Sequence, residues 1–244
     1  MCGRYASSKE PAQLVEEFGV TEKPKVALAP DYNVAPTKKV YAVLDRVREG
    51  ELARLLADVN WGLVPSWAKD RSIGSRMINA RLESAASKPS FRVAWAKRRA
   101  LLPADGYYEW YSPPDGPTNA RGKPVKQPYF IHRADGASLA MAGLYEIWRD
   151  PAVPDPDDAG AWLWTATVLT TSATDQMGTI HDRMPIHVAR DHWAAWLDPG
   201  FDGDPGSLLD PAATARDLVA YPVSTLVNAV RNNGPELLAP LVAG

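Results

Sequence analysis

The sequence predicts an α+β fold: a single domain, residues 1–244, of mostly antiparallel sheet with peripheral helices. Three observations carry this. Six segments have strand character, and the later ones are separated by turn-rich stretches. The helical patterns are short and lie around those segments. The loop-like stretches "SPPDGPTNARGKPVKQP", "DPAVPDPDDAG" and "DPGFDGDPGS" join elements without separating two complete cores. A 45% hydrophobic fraction with 23% charged residues is enough for one sizeable core.

The elements follow in chain order. In "SKEPAQLVEEFGV", Leu14, Val15 and Phe18 share one helical face and Gly19 is a stop signal, so a short amphipathic helix is expected. "KVYAVLDRV" and "ELARLLADVNWGLVP" form a strand pair around the polar turn "REG". The stretch Leu82 to Arg99 is mostly helical, divided by Pro89. "RALLPADGYYEWY" reads as one strand bent at Gly106. "QPYFIHR", "SLAMAGLYEIWRD" and "GAWLWTATVLTT" are three further strands; in the last, Trp162, Trp164, Ala166 and Val168 alternate with Leu163, Thr165, Thr167 and Leu169. "RDHWAAWLDP" is a short helix closed by Asp-Pro.

No run approaches the roughly 18 apolar residues of a membrane span, and "MCGRYASSKEPAQ" lacks the apolar core of a secretory signal. A single cysteine excludes an internal disulfide framework and a cysteine-cluster zinc site. His132, His187 and His192 show no metal-ligand spacing, so neither metal nor cofactor is expected. These features predict a cytoplasmic protein, or a nuclear one in a eukaryote, without membrane contact. The net charge of −2 hides an uneven distribution. Nine basic residues between Lys69 and Arg99 meet only Asp70 and Glu83, giving +7, whereas four arginines face thirteen acids from Asp150 onward. Such a segment permits contact with a polyanion, and equally suits solvated helices.

The lone cysteine, Cys2, follows Met1. If Met1 is removed, Cys2 carries an amine and a thiol on adjacent carbons, with reference pKa values of about 7.7–8.0 and 8.5. The amine can form a Schiff base with an aldehyde, and the thiol can close it to a five-membered thiazolidine. Intramolecular closure gains greatly in effective molarity. The thiolate could instead attack an amide, with its own amine as base, or Cys2 could be an inert buried residue. In "GYYEWY", strand alternation puts Tyr107, Glu109 and Tyr111 on one face, and Tyr108 and Trp110 on the other. Facing inward, Glu109 would have a raised pKa and could move protons; facing outward, it is a solvated residue. "TIHDRMPIHV" puts His181 in a turn-like stretch where it is either a catalytic or a solvated imidazole. Trp61 and Trp67 near the basic segment are either core residues or stacking platforms for nucleic-acid bases.

Together "MCGRY", "YNVAPT", "WGLVPSWAKD", "INARLES", "RRALLPADGYYEW", "TIHDRMPIHV" and "VSTLVNAVRNNGPELL" resemble, in the same order, the SRAP family (SOS-response-associated peptidase-like proteins), from Cys2 to about Leu238. The resemblance implies a curved, barrel-like sheet with helices around it, and a narrow cleft for single-stranded DNA. It implies recognition of abasic sites and a covalent thiazolidine crosslink at the N-terminal cysteine. On this resemblance Cys2 is the crosslinking nucleophile, Glu109 shuttles protons, His181 promotes sugar ring opening, and Asn79 positions the Cys2 amine and the sugar. Arg4, Arg81 and Arg183 would pair with phosphates, and Trp67 and Pro36 would wall the cleft. The implied partner is single-stranded DNA containing abasic sites, with replication or repair proteins in addition, bound by a monomer that joins the nucleoid with its DNA. The sequence departs from the family pattern at Ala68 and Ala100, and at His187, which is expected to perturb His181.

Two other functions compete: a cysteine peptidase or amidase using Cys2, His181 and Glu109, including self-removal of Met1, and a non-catalytic reader of modified DNA bases. A peptidase needs no cysteine at position 2 unless the α-amine takes part, and a pure binder needs neither the thiol nor Glu109.

Overall fold

The computed structural model describes residues 2–155 and 157–241; Met1, whose loss the sequence reading invokes, lies outside them. The described strands are β1 (Tyr5–Ser7), β2 (Asp31–Val34), β3 (Lys39–Arg48), β4 (Glu51–Trp61), β5 (Asn79–Arg81), β6 (Arg99–Ala104), β7 (Gly106–Tyr111), β8 (Gln127–Arg133), β9 (Leu139–Arg149), β10 (Trp162–Ser172), β11 (Arg183–Pro185) and β12 (Leu218–Pro222). Five of them, β3, β4, β10, β9 and β6, pair in a ring and form a small barrel. Around the barrel, β5 and β11 add to β10. The other five form a second, antiparallel sheet in the order β12-β8-β7-β1-β2. The fold is therefore α+β, as the sequence predicts, with the barrel-like core that the resemblance implies. Its parallel pairings are confined, among the named strands, to β10 with β4 and with β5.

The β3–β4 hairpin forms because the turn sits at Glu49 and Gly50, both with positive φ (53° and 86°). This backbone matches the twist of the two strands. The ladder then runs unbroken from Arg48↔Glu51 to Lys39↔Asn60. "RALLPADGYYEWY" is not one strand: β6 belongs to the barrel and β7 to the second sheet. The crossing is at Gly106, where a Cβ would stand 2.5 Å from the Ile131 carbonyl oxygen and from the Phe130 ring. Only glycine lets β7 approach β8 this closely. The change of sheet is what turns Glu109 toward the N-terminus.

The helices are α1 (Pro11–Phe18), α2 (Leu82–Ala85), α3 (Arg92–Lys97), α4 (Asp175–Ile180), α5 (Trp193–Leu197) and α6 (Pro211–Arg216). In α1, Leu14 and Phe18 are buried and Gly19 ends the helix in the left-handed region. Phe18 stacks on Trp193 at 4.5 Å and Trp95 meets Trp196 edge-on at 6.1 Å, so α1, α3 and α5 cover one outer face of the barrel. Because β10 is covered on both sides, Thr165 and Thr167 are as buried as Ala166 and Val168.

The basic segment divides in two. Arg99 is buried and donates to the carbonyls of Trp95 (2.9 Å), Ala96 (2.7 Å), Trp196 (2.7 Å) and Asp198. It is a cation satisfying the carbonyl ends of α3 and α5. Arg98 pairs with the buried Glu146. The remaining seven basic side chains of the segment are exposed. Arg99→Met is expected to lower stability in urea titration by about 3–5 kcal/mol, since it strands several buried carbonyls at once. It should leave the salt dependence of any DNA binding unchanged; a loss under about 1 kcal/mol would contradict the assignment.

Candidate active site

The N-terminal segment is anchored in the middle of the second sheet. β1 lies between β2 and β7, with Tyr5 opposite both Val34 and Tyr107. The Tyr108 N–H donates to the Arg4 carbonyl at 2.9 Å, continuing the pairing toward the terminus. Cys2 is consequently fully buried, in a cluster with Tyr5, Trp61 and Tyr107. Tyr5 and Trp61 meet edge to face at 5.0 Å, and the Trp61 indole N–H is fixed by the Ile78 carbonyl (2.9 Å). Trp61 is thus a core residue. Trp67 is 59% exposed.

Asn79 enters through β5, which runs parallel to β10 with Asn79 opposite Val168. Its amide Nδ2 donates to the Cys2 carbonyl at 2.7 Å, which ties two chain segments 77 residues apart. Its Oδ1 is buried with no hydrogen-bond partner among the described residues. A buried acceptor left open beside the Cys2 carbonyl is available to a bound group.

Glu109 occupies the inward face of β7 with Tyr107 and is 4% exposed. Burial pushes its carboxyl up to about 7, with the nearby Asp182 charge adding to the rise. The carboxyl is then near half-ionised at neutral pH, able both to give and to accept a proton. Burial, reinforced by the Glu109 charge, pushes the Cys2 thiol far above its ordinary range, so it rests as a neutral thiol. The Tyr5 and Tyr107 hydroxyls are fully buried with no hydrogen-bond partner among the described residues. Burial raises both, and Cys2 adds to both shifts, so both hydroxyls stay protonated in the apolar cluster that holds Cys2. The sequence reading assigned neither one a role at the site; the alternation of "GYYEWY" was the signal available for Tyr107.

His181 ends α4, which packs against β7 and so brings the imidazole to the Glu109 side of the sheet. Burial lowers its pKa, and Lys126 lowers both His181 and Glu109, as expected of groups in one site. The His181 Nδ1 lies 3.0 Å from the Arg183 N–H and 2.9 Å from Asp182 Oδ1. With the proton on Nε2 the neutral ring accepts from the Arg183 N–H, and with the proton on Nδ1 it donates to Asp182 instead. His187 is elsewhere: it is buried beside Arg133 (3.4 Å) and Asp217 (3.3 Å), and the charged groups acting on it are Arg133, Asp217 and Asp135. Its expected effect on His181 has no contact to carry it.

The three motif arginines differ. Arg81 is exposed with no polar partner among the described residues. Arg183 forms a bidentate pair with Glu83 (2.7 and 2.9 Å) and donates to the Thr170 carbonyl (2.6 Å). Arg4 donates to Asn33 Oδ1 (2.6 Å) and the Val227 carbonyl (3.0 Å), and lies over the Trp110 ring. Asn33, fully buried, donates in turn to the carbonyls of Val227, Ala229 and Asn232. This amide explains "YNVAPT" and "VSTLVNAVRNNGPELL" together, because it clasps the C-terminal segment onto the strand beside the N-terminus. Pro36 is half-buried and precedes Thr37, whose φ is +72°.

Residues 1–230 match the family described as SOS response associated peptidase (SRAP). The chain is 38% identical to the abasic site processing protein YoqW of Bacillus subtilis, over 98% of this chain and 99% of that protein. It is 32% identical to the abasic site processing protein HMCES of Gallus gallus, over 100% of this chain and 79% of that one. With YedK of Escherichia coli, named likewise, the identity is 30% over 99% and 100%. A solved structure from Bacteroides thetaiotaomicron shares the fold at a TM-score of 0.79 and 24% identity, covering 99% of this chain and all of that one. With a family match from residue 1 to 230 and relatives 30–38% identical across nearly its whole length, the chain belongs to the SRAP family.

Proposed function

We propose that the protein recognises abasic sites in single-stranded DNA and captures the sugar as a thiazolidine on Cys2, once Met1 has been removed. The observation that supports this reading is a buried cysteine held by the Asn79 amide and facing a carboxyl raised to about 7, with a neutral imidazole that shares Asp182 and Lys126 with that carboxyl. Those groups meet the needs of imine chemistry at an aldehyde. As the sugar opens to its aldehyde, His181 gives a proton to the ring oxygen and takes back the one that the C1′ hydroxyl releases, so the imidazole ends neutral. The Cys2 amine, oriented by Asn79, adds to C1′. Protonated Glu109 then gives its proton to the departing hydroxyl, so water leaves and an iminium ion remains. The carboxylate so formed takes the thiol proton as sulfur bonds to C1′, and the C=N π pair returns to nitrogen as the neutral ring amine. The ring closes with Glu109 protonated again. Exposed Arg81 is suited to a flanking phosphate, and Arg183 is suited to one if it exchanges Glu83 for it. Trp67 and Pro36 serve as the apolar edge against which bases part.

Peptidase chemistry has less support. It needs a thiolate, and burial beside a carboxylate opposes thiolate formation at Cys2. The test is to incubate protein lacking Met1 with single-stranded DNA carrying one abasic site, and to look for a covalent band on a denaturing gel. The band should form, and should be absent when an aminooxy reagent has first capped the aldehyde. Binding without any covalent band would favour a non-covalent reader instead.

A further inference from the structure

We propose that the seam between β4 and β10 is a second groove for single-stranded nucleic acid, taking the strand beyond Pro36; this rests on the reading that the protein binds single-stranded DNA. The two strands pair only at Thr165↔Asn60 and Ala166↔Trp61 among the described residues. They diverge beyond these positions, and a groove of about 540 Å³ opens between them. Its floor is apolar, including Leu55 and Leu56, and one wall carries Trp162, which is 45% exposed.

The rim is basic, and part of that charge is uncompensated. Lys39 pairs with Asp58 (2.7 Å) and Arg48 with Glu22 (3.0 Å), which uses both acids of the groove. Lys23 and Lys25 are exposed and have no ion-pair partner among the described residues. A second cavity of about 340 Å³ shares Asn60 and Leu163 with this groove and extends to Thr37 and Arg71. The path is therefore continuous from the residue after Pro36 to the Trp162 ring. An indole stacks any base, and cations at intervals follow a phosphate backbone, which favours nucleic acid over an acidic protein segment here.

The experiment measures binding of undamaged single-stranded oligonucleotides of about 4 and about 12 nucleotides to wild type, Trp162→Ala and Lys23→Gln/Lys25→Gln. Wild type should gain affinity with length, and Trp162→Ala should lose about tenfold on the longer strand alone. The double lysine variant should flatten the log–log salt slope on that strand by about 1.4, the counterion release of two charges. Covalent capture of a short abasic oligonucleotide, run in parallel, should be equal in all three proteins. A length effect identical in all three overturns the groove, whatever the short substrate does. Loss of covalent capture in wild type overturns the crosslinking reading, while the length effect is judged separately. Oligoglutamate binding that these variants abolish, with the DNA length effect intact, would assign the seam to an acidic protein segment and overturn the proposal.

Discussion

Glu109→Gln will slow covalent capture by about a hundredfold or more while making the protein more stable above neutral pH. The first effect follows from the proton-transfer role proposed for Glu109, since general acid–base catalysis typically contributes about 10²–10⁴ in rate. The wild-type rate should peak near pH 7, where the carboxyl titrates, and the variant should lose that inflection. The second effect has the opposite sign. A carboxyl raised from its ordinary value to about 7 binds its proton more tightly in the folded protein than in the unfolded chain. Its burial therefore costs nothing below about pH 4.5, costs more as pH rises, and reaches its full cost above pH 7. That cost is about 3 kcal/mol. A neutral glutamine does not incur it, so the variant's advantage in Tm should widen by roughly 6–10 °C between pH 5 and pH 8. A variant that captures DNA at the wild-type rate would remove Glu109 from the chemistry. A Tm difference that stays flat with pH would show that its burial carries no such cost.

Cys2→Ser has the larger effect on the product. Serine keeps the α-amine, so the imine still forms, but its hydroxyl closes the ring poorly, and the large effective molarity of the neighbouring thiol is lost. The heat-stable adduct should disappear, while borohydride still traps the imine. Because the imine then persists, strand cleavage by β-elimination should rise. A heat-stable adduct formed by Cys2→Ser at the wild-type level would contradict ring closure by sulfur.

Much of this fold was legible where periodicity had room to show. The β3–β4 hairpin, α1 and the long strands β9 and β10 each carry a pattern long enough to read. β1, β2, β5 and β11 have three or four residues each, and the five-residue β12 was not read either. Their pairing is decided by distant neighbours, which local pattern does not encode. The same limit applied at the site. Cys2, Glu109 and His181 could be singled out by residue type and position, but Asn79 reached its role only through family resemblance, since β5 sets it against Cys2 across 77 residues. The Arg4–Asn33 clasp was missed because a buried amide satisfying three carbonyls looks, in sequence, like any turn asparagine. Arg99 looks like surface charge for the related reason that a buried guanidinium has no distinct sequence signal.

The most direct test of the central claim is intact-protein and peptide mass spectrometry, before and after incubation with single-stranded DNA carrying one abasic site. The account predicts loss of Met1, then a heat-stable species whose mass is that of the processed protein plus the DNA less one water, with the modification on the Cys2 peptide. Retained Met1 with no adduct, or an adduct that maps to a lysine, would contradict it.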